Sequence, residues 1–217
     1  YPGANGGEAI ARVLFGEVGA SGRLPITWPK DESQLPRPSI PGAGLAAIGI
    51  PPQGQPQQDI DYNIEGADVG YRWFEKRHLE PLFEFGYGLS YTTFDYGKPT
   101  LVDHDGQITV SLRITNTGKR DGVTVPQLYV APPAGDTTKR LAGWQRVSLK
   151  PGESREVHIV ANPVRLAHFD EAKREWVRDA GHYRFELGHT STATLMVDLG
   201  LDLPAATCTL SACRVSP

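Results

Sequence analysis

From residue 108 to residue 115, apolar Ile108, Val110, Leu112 and Ile114 alternate with Thr109, Ser111, Arg113 and Thr115. A period of two predicts a β-strand with one buried face. Asn116-Thr117-Gly118 then reads as a turn. Further short strands are predicted over 123–130, 141–149, 155–160, 181–187 and 193–199. Lys150-Pro151-Gly152-Glu153 closes the strand over 141–149. About seven short strands with turn signals at this interval predict a sandwich of two antiparallel sheets. The pattern before residue 95 differs. Ile10, Val13 and Leu14 have the i, i+3, i+4 spacing of a one-sided helix over 7–15, with Glu8 near its start and Gly16 at its end. Pro25 and Pro29 make residues 21–29 a turn and a short extended piece. Residues 36–59, rich in Pro, Gly, Gln and Ala, show no apolar period and read as a long surface loop.

Residues 62–91 fit neither period but concentrate aromatic rings: Tyr71, Trp73, Phe74, Phe83, Phe85, Tyr87 and Tyr91, punctuated by Gly66, Gly70, Gly86 and Gly88. Full burial of one such ring stabilises by about 1.5–3 kcal/mol. The stretch therefore predicts an ordered strap packed against another surface, covered by polypeptide that this sequence does not include.

Composition adds little to this picture. The 217 residues are 39% hydrophobic and 22% charged, as in a globular protein. The net charge of −3, with no basic stripe and no polybasic cluster, argues against nucleic-acid and membrane partners. No apolar run approaches the length of a membrane span. The chain begins Tyr1-Pro2-Gly3 and its one methionine is Met196, so a piece of a longer protein is expected. Cys208 and Cys213 have no further Cys or His nearby at metal-ligand spacing. They read either as free thiols or as a short disulfide that pins the tail and implies an oxidising compartment.

Three segments carry a family resemblance. The first runs through Tyr1-Pro2-Gly3, Gly6-Gly7, Val13-Leu14-Phe15-Gly16 and Ser21-Gly22-Arg23-Leu24-Pro25. The second holds Tyr62, Glu65-Gly66, Val69-Gly70-Tyr71-Arg72 and Pro81-Leu82-Phe83-Glu84-Phe85-Gly86-Tyr87-Gly88-Leu89-Ser90-Tyr91-Thr92. The third is Leu141-Ala142-Gly143-Trp144 with Val147-Ser148-Leu149-Lys150-Pro151-Gly152-Glu153. In this order they resemble the C-terminal portion of glycoside hydrolase family three β-glucosidases. Asn5, Ala20 and Glu84 depart from the pattern, and the loop before Tyr62 and the tail after Leu199 lie outside it.

The resemblance implies a mostly β fold: a fibronectin-type-III-like, immunoglobulin-like β-sandwich, preceded by the C-terminal helix and strand of an α/β sandwich domain and an aromatic-rich strap. The expected division is 1–35 for the end of the α/β domain, 36–94 for loop and strap, 95–200 for the β-sandwich and 201–217 for a tail. It also implies a retaining mechanism in which the nucleophile is an Asp, usually followed by Trp, and the acid/base is a Glu. A Lys-His pair grips the sugar. This sequence has no Asp-Trp pair, and Lys76-Arg77-His78 is not the Lys-His dipeptide. All of these groups are therefore expected upstream of Tyr1, with no catalytic residue in this chain. The expected partner is the N-terminal catalytic part of the same enzyme, with carbohydrate as substrate in the assembly and a periplasmic or secreted location.

The remaining candidates are weighed against that expectation. Asp170-Glu171, Asp31-Glu32 and Glu80/Glu84 are close carboxylates in polar, loop-like contexts, where a solvated surface is the plainer reading. Glu65 and Arg72 read as structural, Arg72 as a bidentate partner for a carboxylate across a domain interface. Trp73, Tyr71, Tyr87 and Tyr91 could stack on sugars but read more simply as interface core. Trp144 and Trp176 read as core or edge packing of the sandwich. The six histidines, His78, His104, His158, His168, His182 and His189, form no metal-ligand pattern, and no phosphate loop occurs, so no metal or cofactor is expected. The competing reading is a stand-alone fibronectin-type-III-like binding or structural module. Against it stands the apolar surface that the first third would expose.

Overall fold

The structure is a computed structural model that describes residues 3–37, 63–133, 138–192 and 194–215. The loop expected over 36–59 lies, from residue 38 on, outside the described residues.

The alternating segment forms β3 (Gln107–Asn116), the central strand of the first sheet. It pairs with β8 (Ser154–Val160) along one edge. Along the other it pairs with β2 (Thr100–His104) and then β1 (Phe94–Tyr96). The second sheet has the order β12 (Thr194–Leu203), β11 (Gly181–Gly188), β5 (Gln127–Ala131), β6 (Arg140–Trp144), all antiparallel. Between them lies one core: Val110 and Ile114 from β3 and Ile159 from β8 with Leu128, Val130 and Phe185 from the second sheet, each at most 1% exposed. The expected mostly β sandwich is thus present.

Two expected strands are each broken in two. The stretch 123–130 divides into β4 (Gly122–Thr124) and β5, because Pro126 has no N–H to give a ladder. The stretch 141–149 divides correspondingly into β6 and β7 (Val147–Leu149), with β4 and β7 paired as a small sheet of their own. At the end of β7, Gly152 takes φ +74° and Glu153 N–H donates to the Lys150 carbonyl at 2.9 Å, closing the expected turn.

Residues after 200, expected as a tail, continue β12 to Leu203 and then form β13 (Ala206–Cys208) and β14 (Cys213–Arg214). These pair with β10 (Glu175–Arg178) and β9 (His168–Asp170) in a fourth sheet, where Cys208 and Cys213 face one another and are disulfide-bonded. Trp176 and Trp144 are not core: they are 39% and 63% exposed, and Trp176 meets Phe169 edge-on at 5.5 Å.

Before the sandwich, helix α1 (Gly6–Leu14) sits where the spacing predicts. Its end is held by Gly16 at φ +74°, with Gly16 N–H bonded to the Val13 carbonyl and Glu17 N–H to that of Arg12. The strap contains a short helix that its pattern does not announce, α2 (Tyr71–Lys76).

Candidate functional site

The strap has two sides. Its inner side packs on the outer face of the second sheet. All five residues of β5 are buried: Leu128 and Val130 point into the core, while Tyr129 points outward and is 1% exposed. Tyr71 covers it, edge to face at 5.7 Å, and packs on Phe85 at 5.3 Å. Tyr71 also accepts the Leu141 backbone N–H at 2.8 Å. Burial raises the phenol pKa of both Tyr71 and Tyr129. Trp73 and Phe74 are 9% and 6% exposed, and Trp73 Nε1 donates to the Gln34 carbonyl at 3.1 Å. The expectation that the rings depend on cover from outside is therefore corrected for these four. This chain's own sandwich and strap bury Trp73 and Phe74 and half-cover Tyr71 and Phe85.

Arg72 likewise finds its carboxylate at home and not across a domain interface. Its guanidinium pairs with Asp68, four residues earlier in the segment before α2, at 2.9 Å, and donates to Thr138 Oγ1 at 2.9 and 3.1 Å. Lys76 also pairs with Asp68. Sequence reasoning missed Asp68, although its i+4 spacing to Arg72 is a readable signal. Among the described residues the Glu65 carboxylate has no hydrogen-bond or ion-pair partner; its carbonyl accepts from Asp68 N–H at 3.0 Å. Four of the six close-set carboxylates have partners within this chain. Asp31 caps a 3-10 turn through Ser33, Asp170 accepts from Ala172 and Lys173 N–H at 3.0 Å, Glu80 pairs with Lys30 at 2.5 Å, and Glu84 accepts from Thr192.

A second residue that sequence reasoning placed only as a turn former is Asn116, which is 0% exposed. Its amide donates to the carbonyls of Arg120 (2.7 Å) and Leu149 (3.0 Å) and accepts from Thr92 Oγ1 (2.6 Å) and Gly118 N–H (3.1 Å). It fastens the end of the strap to two turns of the sandwich.

The outer side of the strap is open. Residues 24–28 run beside 82–87, with Leu24 N–H to the Tyr87 carbonyl, Gly86 N–H to Leu24 and Trp28 N–H to Phe83 at 2.7–2.8 Å. Tyr91 OH reaches back to the Val13 carbonyl at 2.9 Å, and Arg120 Nη1 donates to Gly16 at 2.5 Å. These bonds hold α1, the extended piece and the strap together around a groove of about 770 Å³ whose walls include Val13, Val18, Leu24, Trp28, Phe83 and Leu89. Trp28 is 48% exposed and Leu89 66%. Beside the groove α1 shows Ile10, Leu14 and Phe15, up to 84% exposed. Contiguous apolar surface of this kind on a folded chain marks an interaction face. Tyr87 lines the groove and packs on Phe83 at 4.9 Å, and Tyr91 is 46% exposed.

Residues 1–91 match the glycosyl hydrolase family 3 C-terminal domain. Residues 124–191 match the fibronectin type III-like domain. A β-glucosidase of Bacteroides ovatus, BoGH3A, is 37% identical over 199 residues, covering 88% of this chain but 25% of that protein. A β-glucosidase of Rhizobium radiobacter is 37% identical over 213 residues, covering 94% and 24%. The structure of β-glucosidase 3B from Thermotoga neapolitana in complex with glucose superposes with a TM-score of 0.77 at 34% identity, covering 92% of this chain and 27% of that one. The chain thus spans about a quarter of the length of the relatives it matches.

Proposed function

Given that the chain belongs to glycoside hydrolase family 3, we propose that it is the C-terminal part of a retaining β-glucosidase. The assembled enzyme hydrolyses terminal non-reducing β-D-glucosyl residues of oligosaccharides or glycosides. Such hydrolysis requires two carboxyl groups about 5–5.5 Å apart, one attacking the anomeric carbon and one protonating the leaving oxygen. In this reading both come from the part of the enzyme that precedes this chain. The contribution of the chain is geometric. A 1 Å misplacement of reacting groups costs roughly a hundredfold in rate, so the strap and sandwich serve to hold the catalytic domains in register.

The observation that carries this reading is the bare apolar side of α1 and the groove beside it, with Leu14 72% and Phe15 84% exposed. A stand-alone sandwich module has no use for that surface, whereas the preceding part of the same α/β domain would cover it. A periplasmic or secreted location is part of the proposal, supported by the Cys208–Cys213 disulfide.

The test is to assay the chain alone, the upstream part alone and the two mixed on an aryl β-glucoside. Turnover is expected only from the mixture. Robust turnover by this chain alone would overturn the assignment of the catalytic carboxylates.

A further inference from the structure

The groove is not uniformly apolar. Arg23 lies in its wall between Gly22 and Leu24, and also lines a second, smaller depression of about 250 Å³ with Pro25, Phe85, Val125 and Trp144. Its guanidinium packs against Gly88, in the space that a Cβ on that residue would fill. The hydrogen bonds it makes are long and go to carbonyls: Nη1 to Gly22 at 3.2 Å and Nη2 to Val123 at 3.5 Å. Among the described residues, no carboxylate lies within ion-pair distance of it. Arg12 pairs with Glu17 at 3.2 Å and Arg72 with Asp68 at 2.9 Å, while Arg120 has a short bond to the Gly16 carbonyl at 2.5 Å. A half-buried guanidinium with such weak protein partners, set in an apolar wall, leaves its remaining N–H groups to water. Covering the groove with apolar groups alone would strip it of water without compensation.

We propose that the surface which fills this groove brings a carboxylate to Arg23. This deepens the proposed function and rests on it for the identity of the occupant: a segment of the upstream part of the same enzyme, apolar along the walls of Val13, Val18, Trp28 and Leu89, with one Asp or Glu placed over Arg23. The planar fork of the guanidinium accepts a carboxylate through two parallel N–H···O bonds. Gly22, with open space where a Cβ would stand, leaves the approach free on its side, while Gly88 makes room for the guanidinium itself. Apolar walls set the strength of the contact, and the single ion pair sets its register. Trp144, exposed in the adjoining depression, extends the same contact onto the sandwich.

The experiment measures association of the 217-residue chain with the upstream part, supplied as a separate polypeptide, for the wild type and for Arg23→Lys, Arg23→Met and Arg23→Glu. The thermal midpoint of each free chain is recorded alongside. An ion pair predicts graded weakening. Arg23→Lys, which keeps the charge but not the fork, loses less than Arg23→Met, Arg23→Met loses about thirtyfold, and Arg23→Glu loses more than Arg23→Met, with the free chains melting together. Equal association of Arg23→Met and Arg23→Glu, or unchanged association of both, overturns the proposal. So does a fall in the midpoint of the free chain that accounts for the loss, because Arg23 would then act inside this chain. The two readings fail separately. A wild-type pair that associates without cleaving an aryl β-glucoside sinks the proposed function and leaves Arg23 standing. An active pair indifferent to Arg23 does the reverse.

Discussion

Strand β3 and helix α1 both carry a clean amphipathic pattern, and they meet opposite fates. The apolar side of β3 is buried to within 3% by the facing sheet, whereas Ile10, Leu14 and Phe15 of α1 stand 54–84% exposed. Periodicity states that an element has a face to hide; it does not state what hides it. The difference between the two regions therefore reports where the described residues close on themselves and where they leave an apolar face open.

The sharpest way to break this comparison is to truncate one ring on each side. Phe185, fully buried on β11, should cost about 3–5 kcal/mol on Phe185→Ala, through lost transfer energy and the cavity left behind. Phe15→Ser should leave the free chain within about 0.5 kcal/mol of wild type, while weakening its association with the upstream part. Denaturant unfolding of both free chains checks the pair. Similar losses would mean that α1 is covered within this chain after all.

Asn116→Ala is the next largest. It removes the amide that serves two carbonyls, one hydroxyl and one N–H; the bonds to Thr92 and Leu149 are buried, those to Arg120 and Gly118 partly so. Leaving such groups unmet costs about 1–3 kcal/mol for each that water cannot reach. A loss of about 3 kcal/mol is expected in denaturant unfolding, with the strap side of the molecule opening first in hydrogen exchange. A loss below about 1 kcal/mol would mean that the strap is not fastened there.

How far each feature was legible follows from the range of its causes. The alternation of β3 is local and one-sided, so it reads directly. β5 has no alternation because both its faces are buried, one by the core and one by Tyr71, and the break before it is set by Pro126. Helix α2 spans only Tyr71–Lys76, too short to show a period, with Trp73 and Phe74 adjacent and both inside. Asn116 reads locally as a turn former. Its buried role depends on Thr92 and Leu149, 24 and 33 residues away, which no local pattern encodes. The density of rings in the strap signals burial, which Trp73 and Phe74 reach in full and Tyr71 and Phe85 in part. It could not divide Tyr71, Trp73, Phe74 and Phe85, which the chain covers itself, from Phe83 and Leu89, which it leaves open. The groove and the place of Arg23 in it arise only when residues 13–28 and 83–89 are brought side by side.

The smallest expected effect probes the closed side of the strap. Glu75 on α2 is half-buried and accepts the Lys139 backbone N–H at 3.1 Å, beside a cavity of about 190 Å³ lined by Thr27, Tyr71, Phe74 and Lys139. Burial raises its pKa above the ordinary 4.5, with Glu186 adding to the rise; the Lys139 charge and N–H, and more distantly Arg72, oppose it. Tyr71 and Tyr129 also face it. A raised carboxyl binds its proton more tightly in the folded chain than in the unfolded one. Its contribution to stability is therefore complete below pH 4.5 and is lost as the pH rises from there through the folded value. Glu75→Gln cannot ionise and keeps an oxygen for Lys139 N–H. The variant should match wild type below pH 4.5 and become the more stable of the two toward neutrality. The gain should be under about 1 kcal/mol once screening by nearby water is allowed for, a rise of at most about 2–4 °C in the thermal midpoint. Midpoints measured from pH 4 to pH 8 decide it. A gain that is constant across that range would come from packing and not from the charge. A loss at pH 7 would show that the pull of Lys139 outweighs burial, and that the strap is held to the second sheet by an ion pair as well as by its rings.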